Sequence, residues 1–455
     1  MAKSIKLKQG LDIAIDGCAS LVVGSTMKSD VFAVIPDHFV GITPKMAVKE
    51  GDTVKAGAPL FYNKKNQDML FTSPVSGTVL GINRGERRKI MSITIQPDAT
   101  CEYEKFDINN LDSITAEEVK ALLLKSGLWA LIKQRPYDCI ANPENTPKAI
   151  FVSSFDSAPL APNYEFVLKG KNADLQAGIT ALSKLIGAPV QLGIKSGSKS
   201  VDFRMLQNAE ITEFDGAHPA GNVGIQIHHL NAVNQGETVW TVNIQDVVII
   251  GRLFAKGIVD MRKLIALTGP AARNPEYYNF TYGENITNLL NGNAHKEIPL
   301  RYIEGNVLSG TQLDANGVPS PYCNQITVLA EGCDEHEFLG WGMPRFNKFS
   351  VSNTYFTNIF RKVLPKKKYE YDARLLGGRR AIIMSGEYDK VLPMDIYAEF
   401  LIKAMIAGNI DKMEQLGAYE IAPEDVALCE FVCTSKMPLQ AIVRKALDNM
   451  KSELE

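Results

Sequence analysis

Between Val48 and Ile82 the chain reads VKEGDTVKAGAPLFYNKKNQDMLFTSPVSGTVLGI, and its turn residues leave little freedom of architecture. Gly51-Asp52, Gly57 and Ser76-Gly77 each mark a tight turn, and the runs between them read as strands. The span from Met1 to about Thr100 therefore reads as a β-module of short strands with glycine and proline turns.

This punctuation resembles the barrel-sandwich fold of biotinyl and lipoyl carrier domains. In those domains P-V-S-G-T-V follows a hairpin that bears the modified lysine. Counting back from Pro74 places Asn66 at that position, with Lys64 and Lys65 close by. The resemblance implies the fold and argues against a swinging arm of biotin or lipoate.

At 455 residues the chain has room for three or four domains, on a prior of roughly 100–200 residues each. Its 45% hydrophobic and 22% charged residues are ordinary for a globular chain, and a net charge of −2 supplies no basic field for nucleic acid. Two basic knots, Arg84 to Lys89 and Pro365 to Lys368, read as solvated loops, with a partner or lipid headgroup contact as the other reading. No apolar run approaches the roughly 18 residues of a membrane helix. The nearest, DVVIIGRLFAKGIV from Asp246 to Val259, is interrupted by Gly251, Arg252, Lys256 and Gly257. The N-terminus lacks the apolar core and cleavage site of a signal peptide. Seven scattered cysteines, an odd number, fit reduced thiols better than a disulfide framework.

From SITAEEVK the period changes. Thr115 and Glu118 form a capping box, and Val119, Leu122 and Leu123 supply a helical apolar face. Strands over Lys148–Phe155 and Gly187–Ile194 flank the helical pattern DLQAGITALSKL, which reads as a parallel α/β layer over 101–255. A strand, a Gly-Pro turn and a helix-like end then form a small β-rich module over 256–330. The aromatic and glycine-rich stretch over 331–380 reads as irregular or short-stranded, and 381–455 as helical. There Ile396, Phe400 and Ile406 are expected on an apolar face ending at Gly408-Asn409. A second helix is expected to present Leu439, Ile442, Val443, Ala446 and Met450.

The chemistry-bearing residues are sparse. Three of six histidines fall in HPAGNVGIQIHHL: His218, His228 and His229. The alternation there reads as a strand, which sends His228 and His229 to opposite faces and makes joint metal ligation difficult. Structural use, a polar pocket facing a carbonyl-bearing ligand, and zinc are the three readings. No G-x-G-x-x-G, Walker loop, G-x-S-x-G or H-E-x-x-H is present, and GGRR at Gly377–Arg380 reads as a turn. Near the C-terminus, Cys429 and Cys433 have the x3 spacing that closes a C-x2-C-x2-C-x3-C-P cluster run. Pro423, Val426 and Thr434 stand where its other cysteines and proline belong. On a helix the two thiols share a face, so they read as packing groups among Leu428, Phe431 and Val432, or as ligands to a metal shared with a neighbouring protein.

Together, IKLKQGLDIAI, FTSPVSGTV, SGLWALIKQRP, KAIFV, FDGAHPAG, LTGP, GWGMPRFNKFS and LCEFVCTSKMPL resemble, end to end, the family of the A subunit of the sodium-translocating NADH:quinone oxidoreductase. That family is distantly related to the C subunit of the Rnf complex and to the flavin-bearing subunit of respiratory complex I. The resemblance implies a multidomain α+β fold. Its parts are a barrel-sandwich domain, a Rossmann-like α/β domain, a small SLBB-type β-grasp domain, a connecting region and a C-terminal helical domain resembling a degenerate ferredoxin-type module.

It also implies that the redox sites are gone. Where the relatives carry a glycine-rich flavin loop, this chain has Leu128, Trp129 and Leu131. FDSAPLAP, around Asp156 and Pro159, replaces their acidic loop. The first cluster motif, measured back from Pro393, holds Ile382, Ser385, Tyr388 and Leu392, and of the second only Cys429 and Cys433 survive. The implied role is that of a peripheral component, on the cytoplasmic face of the bacterial inner membrane, with five partner subunits. The complex passes electrons from NADH to quinone and exports sodium, with flavins and iron–sulfur centres held by the other subunits. This chain is then expected to bind no cofactor or metal and to carry no catalytic residue. A quinone pocket of its own is the alternative, with His218, His228, His229, Trp129 and Trp240 as candidates. An independent flavin-dependent NADH dehydrogenase is a third reading, opposed by the bulky residues of the lost loop.

Overall fold

The computed structural model describes residues 3–454 apart from 26–28, 109, 199–200, 296, 333–338, 340–341, 344–347, 352–354, 356 and 358–366. Its first strand, β1 (Lys3–Lys6), joins a sheet built much later in the chain. The glycine-punctuated stretch then makes two small antiparallel sheets. One pairs β3 (Pro44–Met46), β5 (Pro59–Asn63) and β6 (Asn66–Thr72); the other holds β2 (Phe32–Val34), β4 (Thr53–Val54), β7 (Gly77–Arg84) and β8 (Ile90–Pro97) in the order β2-β8-β7-β4. Their shared core stacks Phe61 on Phe71 at 4.6 Å, with Phe39 edge-on to Phe71 at 4.7 Å. The expected turns at Gly51 and Gly57 fall between these strands, whereas the chain bends at Pro74-Val75 and Gly77 already opens β7.

The capping box opens α1 (Ala116–Lys125): the Thr115 hydroxyl accepts from the Glu118 amide, and the Glu118 carboxylate accepts from the Thr115 amide. Beyond it lie β9 (Lys133–Arg135), β10 (Cys139–Ile140) and β11 (Ile150–Ser153), then α2 (Tyr164–Val167), α3 (Asn172–Ile186) and β12 (Val190–Lys195). Next come α4 (Val201–Arg204), β13 (Ala209–Asp215), α5 (Val223–Asn231), β14 (Val239–Thr241) and α6 (Ile244–Lys256). One seven-stranded sheet results, ordered β1-β13-β12-β11-β14-β9-β10, parallel from β1 to β14 and antiparallel at β9 and β10. The run β13-β12-β11-β14 is the 3-2-1-4 order of a doubly wound half, reversing between β11 and β14. The apolar run read as too interrupted for a membrane is α6, packed on α3. Its Gly251 is there for contact: a Cβ would lie 1.6 Å from the Asp174 carbonyl oxygen, and one on Gly178 2.1 Å from that of Val247. Among the described residues no helix is long and apolar enough to cross a membrane.

A mixed five-stranded sheet follows: β15 (Arg262–Thr268), β16 (Tyr277–Thr281), β17 (Leu300–Glu304), β18 (Thr311–Leu313) and β19 (Gln325–Ala330), ordered β16-β15-β19-β17-β18. With α7 (Thr287–Leu290) it shares a separate core around Ile265, Leu267, Leu290 and Ile326. Much of the stretch expected to be irregular lies outside the described residues. Its longest described run, 367–380, carries two isolated bridges, Ile15 with Tyr369 and Ala330 with Asp372.

The C-terminal region is helical: α8 (Ala398–Ala407), α9 (Ile410–Gln415), α10 (Ala427–Val432) and α11 (Leu439–Leu454). Gly408 ends α8 at φ +67°, and α11 buries Leu439, Val443, Ala446 and Met450, with Ile442 partly buried. The face expected for α8 is wrong. Leu401, Ile402 and Met405 are buried, whereas Phe400 and Ile406 are 55% and 50% exposed. The helix carries apolar residues on several sides, so periodicity alone does not select a face; packing against α11 does. Two further expectations fail. His228 and His229 lie on α5: Val223, Ile225 and Ile227 imitate a strand's alternation, but the helix is buried on several sides, through Gly224, Ile225, Gln226 and Ile227. Cys433 lies just past α10, at ψ 116°, yet is buried with Cys429 in the same core.

Gly251→Ala should lower stability by about 1–3 kcal/mol or more, measured by urea unfolding. Gly378→Ala, where nothing lies within 4 Å of the added carbon, should change it by less than about 0.5 kcal/mol.

Candidate functional site

Ligands of open α/β sheets settle beyond the carboxyl ends of the strands, where the strand order reverses. Here that point holds a cavity of about 240 Å³. Ser153 ends β11 beside it and Thr241 ends β14. β9 contributes Lys133 and Arg135, the starts of α5 and α6 contribute Asn222 and Asp246, the five-stranded module adds Ser309 and Tyr322, and the helical module adds Glu424.

Its charge balance is unusual for a nucleotide crevice. Asp138, Asp156, Asp246 and Glu424 face it, against Lys133 and Arg135. Arg135 is already engaged: Nη1 donates to Asp425 Oδ2 at 2.8 Å and Nη2 to Glu424 Oε1 at 2.7 Å. Its side chain is 2% exposed and that of Asp425 0%. Burial works against the guanidinium's charge, but Asp425, Asp138 and Glu424 outweigh it and hold Arg135 above its ordinary value. Asp246 is the opposite case. It is buried, neither carboxylate oxygen accepts a hydrogen bond, and the Lys263 ammonium stands 3.8 Å from Oδ1. Burial pushes its carboxyl above the usual range, against the pull of Lys263 and Lys133. Burial likewise raises Asp156, partly offset by the Ala158 amide, which donates to Oδ1 at 2.7 Å. A phosphate placed here would meet carboxylates more often than free donors, so the residues present do not fit a nucleotide phosphate.

His218 also lines the cavity, its ring Nδ1 3.0 Å from the Ser157 hydroxyl, which accepts from the Gly221 amide at 2.8 Å. Burial lowers its pKa to about 4, although Asp12 opposes this, so the ring is neutral at pH 7. When Ser157 donates to Nδ1, the imidazole proton sits on Nε2. Of the five candidate site residues only His218 reaches the cavity. Trp129 and Trp240 pack edge to face at 5.3 Å in the core behind it, and Trp129 Nε1 donates to the Ala141 carbonyl at 2.8 Å. His228 and His229 are joined to the helical module instead. His228 bonds Glu420 through Nδ1 at 2.7 Å and accepts from the Asp395 amide through Nε2 at 3.0 Å, and His229 Nε2 donates to the Pro393 carbonyl at 2.9 Å. Asp246, Lys133 and Arg135 escaped sequence reasoning. An acid in the first turn of an apolar helix was the one available signal for Asp246, and it also reads as an ordinary dipole partner.

The stretches that the resemblance singled out now have places. Leu128, Trp129 and Leu131 form a buried turn after Gly127, and Leu131 walls the cavity. Asp156 lines it from the FDSAPLAP segment. In the helical module the Ser385 amide and hydroxyl and the Gly386 amide all donate to Glu399 Oε1. The Tyr388 hydroxyl lies 3.0 Å from Cys433 Sγ. Burial raises the Cys429 thiol well above its ordinary pKa, which suits packing and not ligation. Among the described residues no group of three or more His, Cys, Asp or Glu could hold a metal. Lys64 and Lys65 form the exposed turn between β5 and β6, and Asn66 begins β6 with its Oδ1 accepting from the Asp68 amide.

Three family models match the chain: the NqrA N-terminal barrel-sandwich hybrid domain over 5–98, the NqrA second alpha/beta domain over 114–259, and the NQRA C-terminal domain, of SLBB type, over 264–315. Curated relatives match from end to end. The A subunit of the Na(+)-translocating NADH-quinone reductase of Haemophilus influenzae (strain Rd) is 37% identical over 455 residues, covering 99% of this chain and 100% of its own. Its counterparts from Pasteurella multocida and from Histophilus somni (strain 2336) are each 36% identical with the same coverage.

Arg135→Ala leaves Asp425 buried without its cation and should cost roughly 3–5 kcal/mol. Glu424→Gln, at a side chain 41% exposed, should cost less than about 1 kcal/mol. Equilibrium unfolding of both variants checks the contrast.

Proposed function

The chain belongs to the family of the A subunit of the Na(+)-translocating NADH-quinone reductase, and from that membership we propose how it serves such a complex. It acts as a peripheral subunit on the cytoplasmic face of the bacterial inner membrane. It docks on the membrane subunits among five partners and contributes to the quinone-reduction end of a complex that couples NADH oxidation to sodium export. Catalysis belongs to the complex. This chain holds no flavin, NADH or iron–sulfur centre of its own. The division into modules at 1–100, 101–255, 256–330, 331–380 and 381–455, the last a ferredoxin-type module without clusters, belongs to the same proposal. The observation that carries it is the cavity at the strand-order reversal, walled by Leu131 and by four carboxyl groups where a flavin phosphate would need donors.

A second reading is favoured by the same cavity: a quinone headgroup site. A quinone offers two carbonyl acceptors and an apolar ring. Leu131, Phe155 and Val242 supply apolar wall, the Nε2–H of His218 can donate to one carbonyl oxygen, and Asp246, whose carboxyl burial raises above the usual range, can donate to the other when it carries a proton. The volume suits one ring and leaves an isoprenoid tail outside.

Titration of the purified chain with a short-tailed ubiquinone, followed by tryptophan fluorescence, tests this second reading. Saturable binding weakened at least tenfold in both His218→Ala and Asp246→Asn is expected. Absence of saturable binding, or binding unchanged in both variants, would rule out the pocket and leave the docking role standing.

A further inference from the structure

The helical module buries one side of α8 and leaves another bare. Leu401, Ile402 and Met405 pack inward, but Tyr397 and Phe400 are 73% and 55% exposed, their rings edge to face at 6.3 Å. Between α8 and α9 lies a concavity of about 410 Å³, lined by Phe400, Ala404 and Leu416 with Lys403 and Lys412 at its rim. No carboxylate lines it. Asp411, the exposed acid next to Lys412 on α9, is not part of the lining. Aromatic side chains this exposed are uncommon on a surface that meets only water, and an apolar concavity ringed by one sign of charge selects its partner.

We propose that this groove is the docking site for an acidic amphipathic helix of a partner polypeptide. Apolar side chains of that helix insert between α8 and α9, and its carboxylates meet Lys403 and Lys412. The inference rests on the reading of the chain as one component of a larger assembly and adds to it the surface and the partner chemistry. Two observations favour a helix over a lipid surface. The site is concave, whereas a bilayer is met by protruding side chains. Its two lysines fall short of the clusters of four to eight that read as lipid-binding, yet suffice for register against a helix.

The test uses the complex assembled in cells, with a photoreactive p-benzoylphenylalanine at position 400 and, separately, the double variant Lys403→Glu/Lys412→Glu. Expected are a crosslink from position 400 to another protein of the complex, within a segment whose acidic and apolar residues alternate at helical spacing, and at least a tenfold loss of the chain from salt-washed membranes in the double variant. Thermal unfolding of the purified double variant, expected to match wild type, shows that the loss is not misfolding. A double variant that stays on the membrane like wild type overturns the groove while the reading as a component of the complex survives. Wild-type chain that fails to co-purify with the membrane subunits overturns both. Binding of the purified wild type to phosphatidylglycerol vesicles, abolished in the double variant, with no protein crosslink, assigns the surface to lipid and also overturns the proposal.

Discussion

One buried guanidinium ties the seven-stranded sheet to the helical module. Arg135 leaves the antiparallel margin of the seven-stranded sheet and meets Asp425, which also accepts from the Ala422 amide at 2.9 Å. The fit around that carboxylate is close. A Cβ on Gly224 would lie 2.4 Å from Asp425 Oδ1, so α5 can pass only with glycine there. Desolvating such a pair is expensive, and an apolar substitute of equal shape can be as stable. An ion pair nevertheless has a direction that an apolar contact lacks, and here it fixes how the helical module is turned against the sheet. The contacts of His228 with Glu420 and of His229 with Pro393 add a second attachment on α5.

That orientation creates the cavity. Its walls come from the α/β sheet, the five-stranded module and the helical module, so each must be seated before it closes. The helical module therefore has a structural use of its own. It supplies Glu424 and Ala427 to the cavity and Asp425 to the clamp, while Tyr388 and Cys433 occupy each other's polar groups inside it. The doubly wound sheet and the acidic lining of its crevice are thus joined in one arrangement: the fold supplies the crevice, and the helical module supplies part of its charge.

Local signals in the sequence were reliable where local physics decides the outcome. The turns at Gly51 and Gly57, the Thr115–Glu118 box and the Gly408 cap are each set within a few residues, and each is found as expected. What escaped was decided by distant partners. β1 lies inside the first module's sequence yet pairs with β13, and no property of Lys3–Lys6 announces which edge it joins. α5 alternates like a strand, and only its packing over the sheet and against the helical module makes it a helix. The site was legible in position, through Leu131 of SGLWALIKQRP and His218, but not in composition. Arg135 and Asp425 are 290 residues apart, and a buried pair at that separation leaves no trace in a window of sequence.

The central proposal is that this chain serves its complex without a redox centre of its own. Anaerobic purification of the chain alone, followed by an absorption spectrum and by iron, sulfide and flavin analysis, tests it most directly. The account predicts a colourless protein with none of the three at stoichiometric level. Stoichiometric iron and sulfide, or a flavin that remains through gel filtration, would contradict it.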